Sequence, residues 1–305
     1  MGRYFLNRLL AGFICLLGVS IIIFVAVRLS GDVTQLLLPD DATNEDFARL
    51  RAELGLDKPI FVQYIIFIKN AAQGDFGRST RWTRPALELV LSRMPATFEL
   101  GVVAFFFAVS LGLLAGVTAA THRGKIIEQV VRVGALFGQS MPSFWIGIML
   151  ILIVAVEFRL LPTSGRGGFS HLILPAITLG AFSLASQSRL TRSAMLNVLG
   201  ADYIKMARLK GNPERTVIWK HGLKNAAIPI VTLAGFQLAD VIGRAVIVET
   251  VFAWPGIGKL IIDAVYARDY AVVQAGVGVL STIYVFINIG VDMLYGFLDP
   301  QIRYE

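Results

Sequence analysis

Residues 202–229 read DYIKMARLKGNPERTVIWKHGLKNAAIP. Lys205, Arg208, Lys210, Arg215, Lys220 and Lys224 stand there against Asp202 and Glu214, the densest positive cluster in the chain. The spacing of Tyr203, Met206 and Ala207 predicts a short helix, and Gly211 stops it. Asn212 can cap a second helix, with Pro213 in its first position and Glu214 in its first turn. Val217, Ile218 and Leu223 carry a second apolar stripe. The segment therefore reads as helix, glycine turn, helix. Plain topology-fixing charge is the simpler alternative, but it requires no stop and start signals in the middle of the segment.

The flanks of this segment decide the fold. The 305 residues are 55% hydrophobic and 16% charged, whereas an average soluble domain carries about 25% charged residues. The apolar residues fall in runs of bilayer-crossing length, about 20 residues each. There are six such runs: Leu9–Val27; Ala96–Ala120, with Glu99 near one end; Val133–Val156; Leu172–Leu190; Ala226–Phe252; and Val272–Leu298, with Asp292 near its end. The fourth is the weakest, diluted by Pro175, Ser183, Ser186 and Gln187. The first run is long for a signal core and no A-x-A site comes after it, so it reads as an uncleaved span. The expected fold is an all-α membrane protein with six transmembrane helices. Residues 1–95 would form the first span plus an external segment with surface helices. Residues 96–305 would form a five-helix core holding the basic segment, about 189–225.

The net charge of +7 is unevenly placed. With six spans, one side receives Arg3, Arg8, Arg123, Lys125, Arg132, Arg189, Arg192, the 202–229 cluster and Arg303. The short loops of the other side hold only Arg159, Arg166, Lys259 and Arg268. By the positive-inside rule the first side is cytoplasmic, and both termini with it. The long segment 28–95 balances its basic residues with acids and weighs little in that count. Within it, Thr43 or Asn44 can cap a helix ended by Gly55, and Pro59 opens a second one with Phe61, Tyr64, Ile65 and Ile68 on one face. That second helix is expected on the membrane surface or packed on the spans.

Several chemistries lack their residues. There is no G-x-x-x-x-G-K-[ST] nucleotide loop, and GIGK at 256–259 lacks its spacing. His122, His171 and His221 fall on different loops, so a metal site made from them is not expected. No constellation suggests catalysis, so no catalytic residue is assigned; a membrane-embedded enzyme remains as an alternative. The basic charge has no aromatic-rich groove or reading helix, so nucleic acid is not an expected partner. Cys15 is the only cysteine, which excludes a disulfide within the chain. Asp240 and Arg244 lie four apart on one face of the fifth span, with Glu249 beyond. Charges within a span usually face a bundle interior or a wet path. The three are candidate path residues, and a simple structural ion pair is the alternative for the first two. SMPSFWIGI at 140–148 reads as a helix start in the third run, Ser140 capping and Pro142 in the first turn. Trp254 reads as an interfacial anchor.

The 202–229 segment resembles the EAA loop of ABC importer permeases, in the version of the dipeptide and oligopeptide permease family. GDFGRS at 74–79, SMPSFWIGIMLIL at 140–152, ETVFAWPGIGKLIIDAVYARDYAVVQA at 249–275 and DPQIRY at 299–304 agree with that family in order and spacing. Lys205 and Met206 stand where the general EAA pattern has Glu and Ala. The resemblance implies a type I ABC importer permease fold in a bacterial inner membrane. It implies a heterodimer with a second homologous permease subunit, two cytoplasmic ATPase subunits, an external substrate-binding protein and surrounding membrane lipid. This chain would bind no cofactor, with ATP and Mg on the partner ATPases. Asp202, Tyr203, Ala207, Arg208, Lys210 and Gly211 would couple to an ATPase. Trp254, Pro255 and Gly256 would belong to an external gate. The cargo would be di- or oligopeptides, with nickel, glutathione or oligosaccharide as alternatives within the same architecture.

Overall fold

The computed structural model describes residues 2–29, 34, 43–53 and 55–298. The DPQIRY stretch, Leu54, Asp32, Asp40 and Asp41 lie outside them. The described chain is helical between its turns. The helices are α1 (Gly2–Leu29), α2 (Asn44–Glu53), α3 (Ile60–Ala72), α4 (Ala86–Thr121), α5 (Ile126–Ser140) and α6 (Ser143–Leu150), which runs on as a π-helical stretch Ile151–Glu157. Then come α7 (Phe169–Leu199), α8 (Asp202–Leu209) and α9 (Glu214–Thr216). A second π-helical stretch, Val217–Gly222, joins α9 to α10 (Leu223–Val251). Last are α11 (Ile257–Tyr266) and α12 (Tyr270–Leu298).

Helices α1, α4, α7, the rod ending in α10, and α12 are long and apolar enough to cross a membrane. The α5–α6 pair makes a sixth span only if counted as one, because it bends by 110°. The break sits at Met141–Pro142. A proline pushes the residue before it out of the helical region, and Met141 is extended at φ −91°, ψ 134°. Ser140 is therefore the last residue of α5 and not the cap of α6. Pro142 holds that cap position, with no side-chain bond.

The chain divides into two compact units. One comprises Gly2–Pro95 with Gly256–Phe286; the other comprises Ala96–Pro255 with Ile287 onward. Residues 256–286 thus group with the N-terminal part. In that first unit Ala86, Leu89 and Val90 pack with Ile257, Leu260, Ala264, Val272 and Ala275. The GDFGRS turn is tied to the α11–α12 corner. Ser79 Oγ donates to the buried Asp269 carboxylate at 2.5 Å, and the Arg81 N–H donates to the same oxygen at 3.3 Å. Asp269 also accepts from the Val272 N–H, capping α12. Thr43 and Asp46 form a reciprocal cap on α2. The Thr43 hydroxyl, then its backbone N–H, hold the Asp46 carboxyl below its ordinary range. Helix α3 lies on α1 through Tyr64, whose ring meets Phe24 at 5.4 Å and whose hydroxyl meets Ser20 at 2.7 Å.

In the second unit Leu100 and Ala104 of α4, Leu174 and Leu179 of α7, and Val241, Ala245 and Val248 of α10 surround Phe252 and Trp254. Lipid tails are as apolar as these side chains, so close packing and hydrogen bonds must hold the helices together. Both are present. Gly112 and Gly116 let α4 approach α7 closely: a Cβ on Gly116 would stand 2.5 Å from Thr191 Cβ. Gln187 of α7 donates to the Ile230 carbonyl of α10, and Gln237 of α10 donates to the Ser183 carbonyl of α7. Gln139 of α5 donates to Ser186.

Candidate functional site

The 202–229 segment folds as a helical hairpin. Ile204, Ala207 and Val217 are buried together and packed on Val198 and Leu199 at the end of α7. Gly211 turns the chain at φ +77°, a left-handed conformation in which glycine carries no Cβ penalty. Nothing would lie within 4 Å of a Cβ there, so the requirement is one of backbone and not of space. Asn212 does not cap the next helix. Its Nδ2 turns back to the Ala207 carbonyl at 2.9 Å, and Pro213 takes the cap position. Arg208 pairs with Glu214 across the turn at 2.7 Å and braces it. Lys205 pairs with Asp202.

The buried face of α8 is Ile204 and Ala207, not the Tyr203–Met206–Ala207 stripe expected from spacing. Tyr203 and Met206 point outward, and Leu209 is 82% exposed. Asp202, Tyr203, Met206, Ala207, Lys210, Asn212 and His221 line a groove of about 530 Å³. Of the candidate coupling residues, Asp202, Tyr203, Ala207 and Lys210 share this groove, while Arg208 and Gly211 shape the turn. Leu209 was not among the expected coupling residues, and Met206 was expected on the apolar stripe and not on the outward face.

The charges of α10 separate. Arg244 pairs with Asp240 at 2.7 Å, and its guanidinium lies over the Phe182 ring, 3.9 Å from the centroid. Glu249 is fully buried, and Thr97 Oγ1 donates to it at 2.6 Å. It lies within the core of its unit and not on an open wall. Trp254 is also buried, its indole N–H donating to the Ala96 carbonyl at 2.8 Å. It is a core residue and not an interfacial anchor. Pro255 and Gly256 form the link into α11, with Gly256 in the cap position. Among the described residues no group of His, Cys, Asp or Glu is gathered as a metal site.

Membrane-crossing helices, one broken at a proline, with a braced helical hairpin carrying exposed apolar residues, define a multi-pass membrane protein with an outward-facing helical element. Comparison with known proteins gives the family. The chain belongs to the binding-protein-dependent transport system inner membrane components: the family model matches residues 112–304, and the model of the N-terminal part of such components matches 1–101. The dipeptide transport system permease protein of Escherichia coli K12 is 40% identical, with both chains covered completely. The corresponding dipeptide permease of Alkalihalophilus pseudofirmus is 38% identical over the whole of both chains. A glutathione transport system permease protein of Escherichia coli K12 is 40% identical, again over the whole of both. Among solved structures, the inward-facing MetNI methionine ABC transporter matches with TM-score 0.58 and 22% identity, covering 69% of this chain and 96% of that one; this likeness shows the fold. The chain is thus a multi-pass inner-membrane permease subunit of an ABC importer. It is not an enzyme, and ATP hydrolysis belongs to separate subunits. Such a permease implies a partner permease, ATPase subunits and a binding protein in general terms.

Proposed function

We propose that this subunit pairs with a second, homologous permease chain to import di- and oligopeptides. Two cytoplasmic ATPases carry ATP and Mg, and an external binding protein delivers the cargo. Both termini and the α8–α9 hairpin lie on the cytoplasmic side. The hairpin is the docking element. The observation that carries this is the outward row Tyr203, Met206 and Leu209 on a helix whose other face is pinned to α7 through Ile204 and Ala207. A rigid element with exposed apolar residues can transmit closure of a partner to the bundle; a slack loop cannot. The α10 pair Asp240–Arg244 belongs to the translocation path, Glu249 supports that helix from within the core, and Trp254, Pro255 and Gly256 belong to the external gate.

Peptide cargo is supported by two dipeptide permeases matching over full length. The glutathione permease at the same identity favours a second reading, in which the cargo is glutathione. The complete transporter in proteoliposomes, with its own binding protein, separates them. ATP-driven uptake of labelled di- and tripeptides is expected, with glutathione as a competitor if the second reading holds. Uptake of nickel or an oligosaccharide without any peptide uptake would contradict both.

A further inference from the structure

A cavity of about 300 Å³ lies where the third span breaks. Gly138, Met141, Pro142 and Ser143 of the break line one side; Thr178 and Phe182 of α7 and Arg244 of α10 line the other. It is at the lower end of the size range of small-ligand pockets. A discontinuous helix at bilayer depth commonly borders a substrate route. The cation in this cavity is held in an unusual way. Its guanidinium carbon stands 3.9 Å from the centre of the Phe182 ring, and Asp240 pairs with it through Nη2 at 2.7 Å. Among the described residues no other hydrogen-bond partner engages it. Arg has five N–H donors in a planar fork that fits a carboxylate through two parallel bonds. Packing against the Phe182 ring gives the guanidinium a support that is not a hydrogen-bond acceptor of the carboxylate kind. Asp240, half-exposed and one turn away on the same helix, is a counter-ion that another carboxylate can replace.

We propose that Arg244, seated on Phe182, is a recognition residue for the terminal carboxylate of the cargo in transit, with Asp240 as its resting counter-ion. This rests on the peptide reading above and deepens it. The C-terminal carboxylate displaces Asp240 from the guanidinium, and the terminal residue occupies the cavity beside the Pro142 break. The resting pair keeps the arginine neutralised between cycles, when an uncompensated charge within the span would be costly.

The test uses the complete transporter in proteoliposomes, with saturating binding protein loaded with trialanine or with trialanine amide, which lacks the terminal charge. The readout is the ratio of turnover for acid over amide. The same binding protein serves every variant, so its own preference cancels when ratios are compared. Arg244→Gln is expected to lower the ratio roughly tenfold, the low end for a charge-assisted contact, and Arg244→Lys to restore part of it. Asp240→Asn removes the competing carboxylate and is expected to raise the ratio, a direction that mere damage to the fold does not produce. Uptake of peptide with the same acid-to-amide ratio in all four proteins overturns the carboxylate site alone. No uptake of either peptide by the unaltered transporter overturns the peptide reading, and the site with it.

Discussion

At the scale of single residues, Gly211 and Leu209 ask different things of the hairpin. Gly211 needs φ +77° and has open space around it. A β-branched side chain there is penalised by about 1–2 kcal/mol through backbone strain, whereas Asn tolerates the conformation. Gly211→Val is therefore expected to reduce coupled transport strongly and Gly211→Asn only slightly, measured as peptide uptake per ATP hydrolysed in proteoliposomes. Equal losses in both would show that space and not backbone is limiting. Gly211→Asp, which tolerates this backbone about as Asn does, adds a charge at the turn and is expected to abolish uptake while the permease still reaches the membrane; unchanged uptake would contradict docking at the turn. Leu209 is 82% exposed. Leu209→Glu is expected to leave thermal stability in detergent within about 0.5 kcal/mol, as surface changes do, while weakening co-purification of the ATPase. The glycine turn was legible from Gly211 itself. The outward position of Leu209 was not, because spacing alone cannot tell which side of an eight-residue helix meets its own protein.

At the scale of elements, the fourth span explains its own weak hydropathy. Ser183, Ser186 and Gln187 dilute it because they face α10 and α5 and not lipid: Gln187 reaches the Ile230 carbonyl, Ser186 accepts from Gln139, and the Ser183 carbonyl accepts from Gln237. Bonds of this kind between membrane helices average about 0.6 kcal/mol, so Gln187→Leu should cost little more than that. Gly116→Leu should cost more, about 1–3 kcal/mol, because a side chain must enter where a Cβ already stands 2.5 Å from Thr191. Thermal denaturation in detergent should rank Gly116→Leu clearly below Gln187→Leu; the reverse order would show that hydrogen bonds and not close approach hold α4, α7 and α10. Gly112 and Gly116 stand in the small-xxx-small spacing that lets membrane helices approach closely. The bend at Pro142 was only half visible: the proline marks a helix start, but nothing local states that the chain turns by 110° there.

At the scale of the molecule, the number of apolar runs and the charge bias between their connections made an all-helical membrane subunit legible. Order and spacing of short motifs then made its family legible. The partition of 256–286 with the N-terminal part was not, because it rests on contacts such as Ser79–Asp269 between residues far apart in sequence. The proposed topology puts Glu305 on the cytoplasmic side and residues 40–55 outside, so reporter fusions at these places should report opposite sides; the same side for both would mean an odd error in the span count. The central claim is that the α8–α9 hairpin docks the ATPase. With Cys15 replaced by Ser, a single cysteine at Leu209 can carry a short photo-crosslinker in the assembled transporter in native membranes. The account predicts that illumination joins this chain to the ATPase subunit, and that Met206→Cys does the same while Phe169→Cys, at the start of α7, does not. Crosslinks from Leu209 to lipid or to the binding protein, with none to the ATPase, would contradict it.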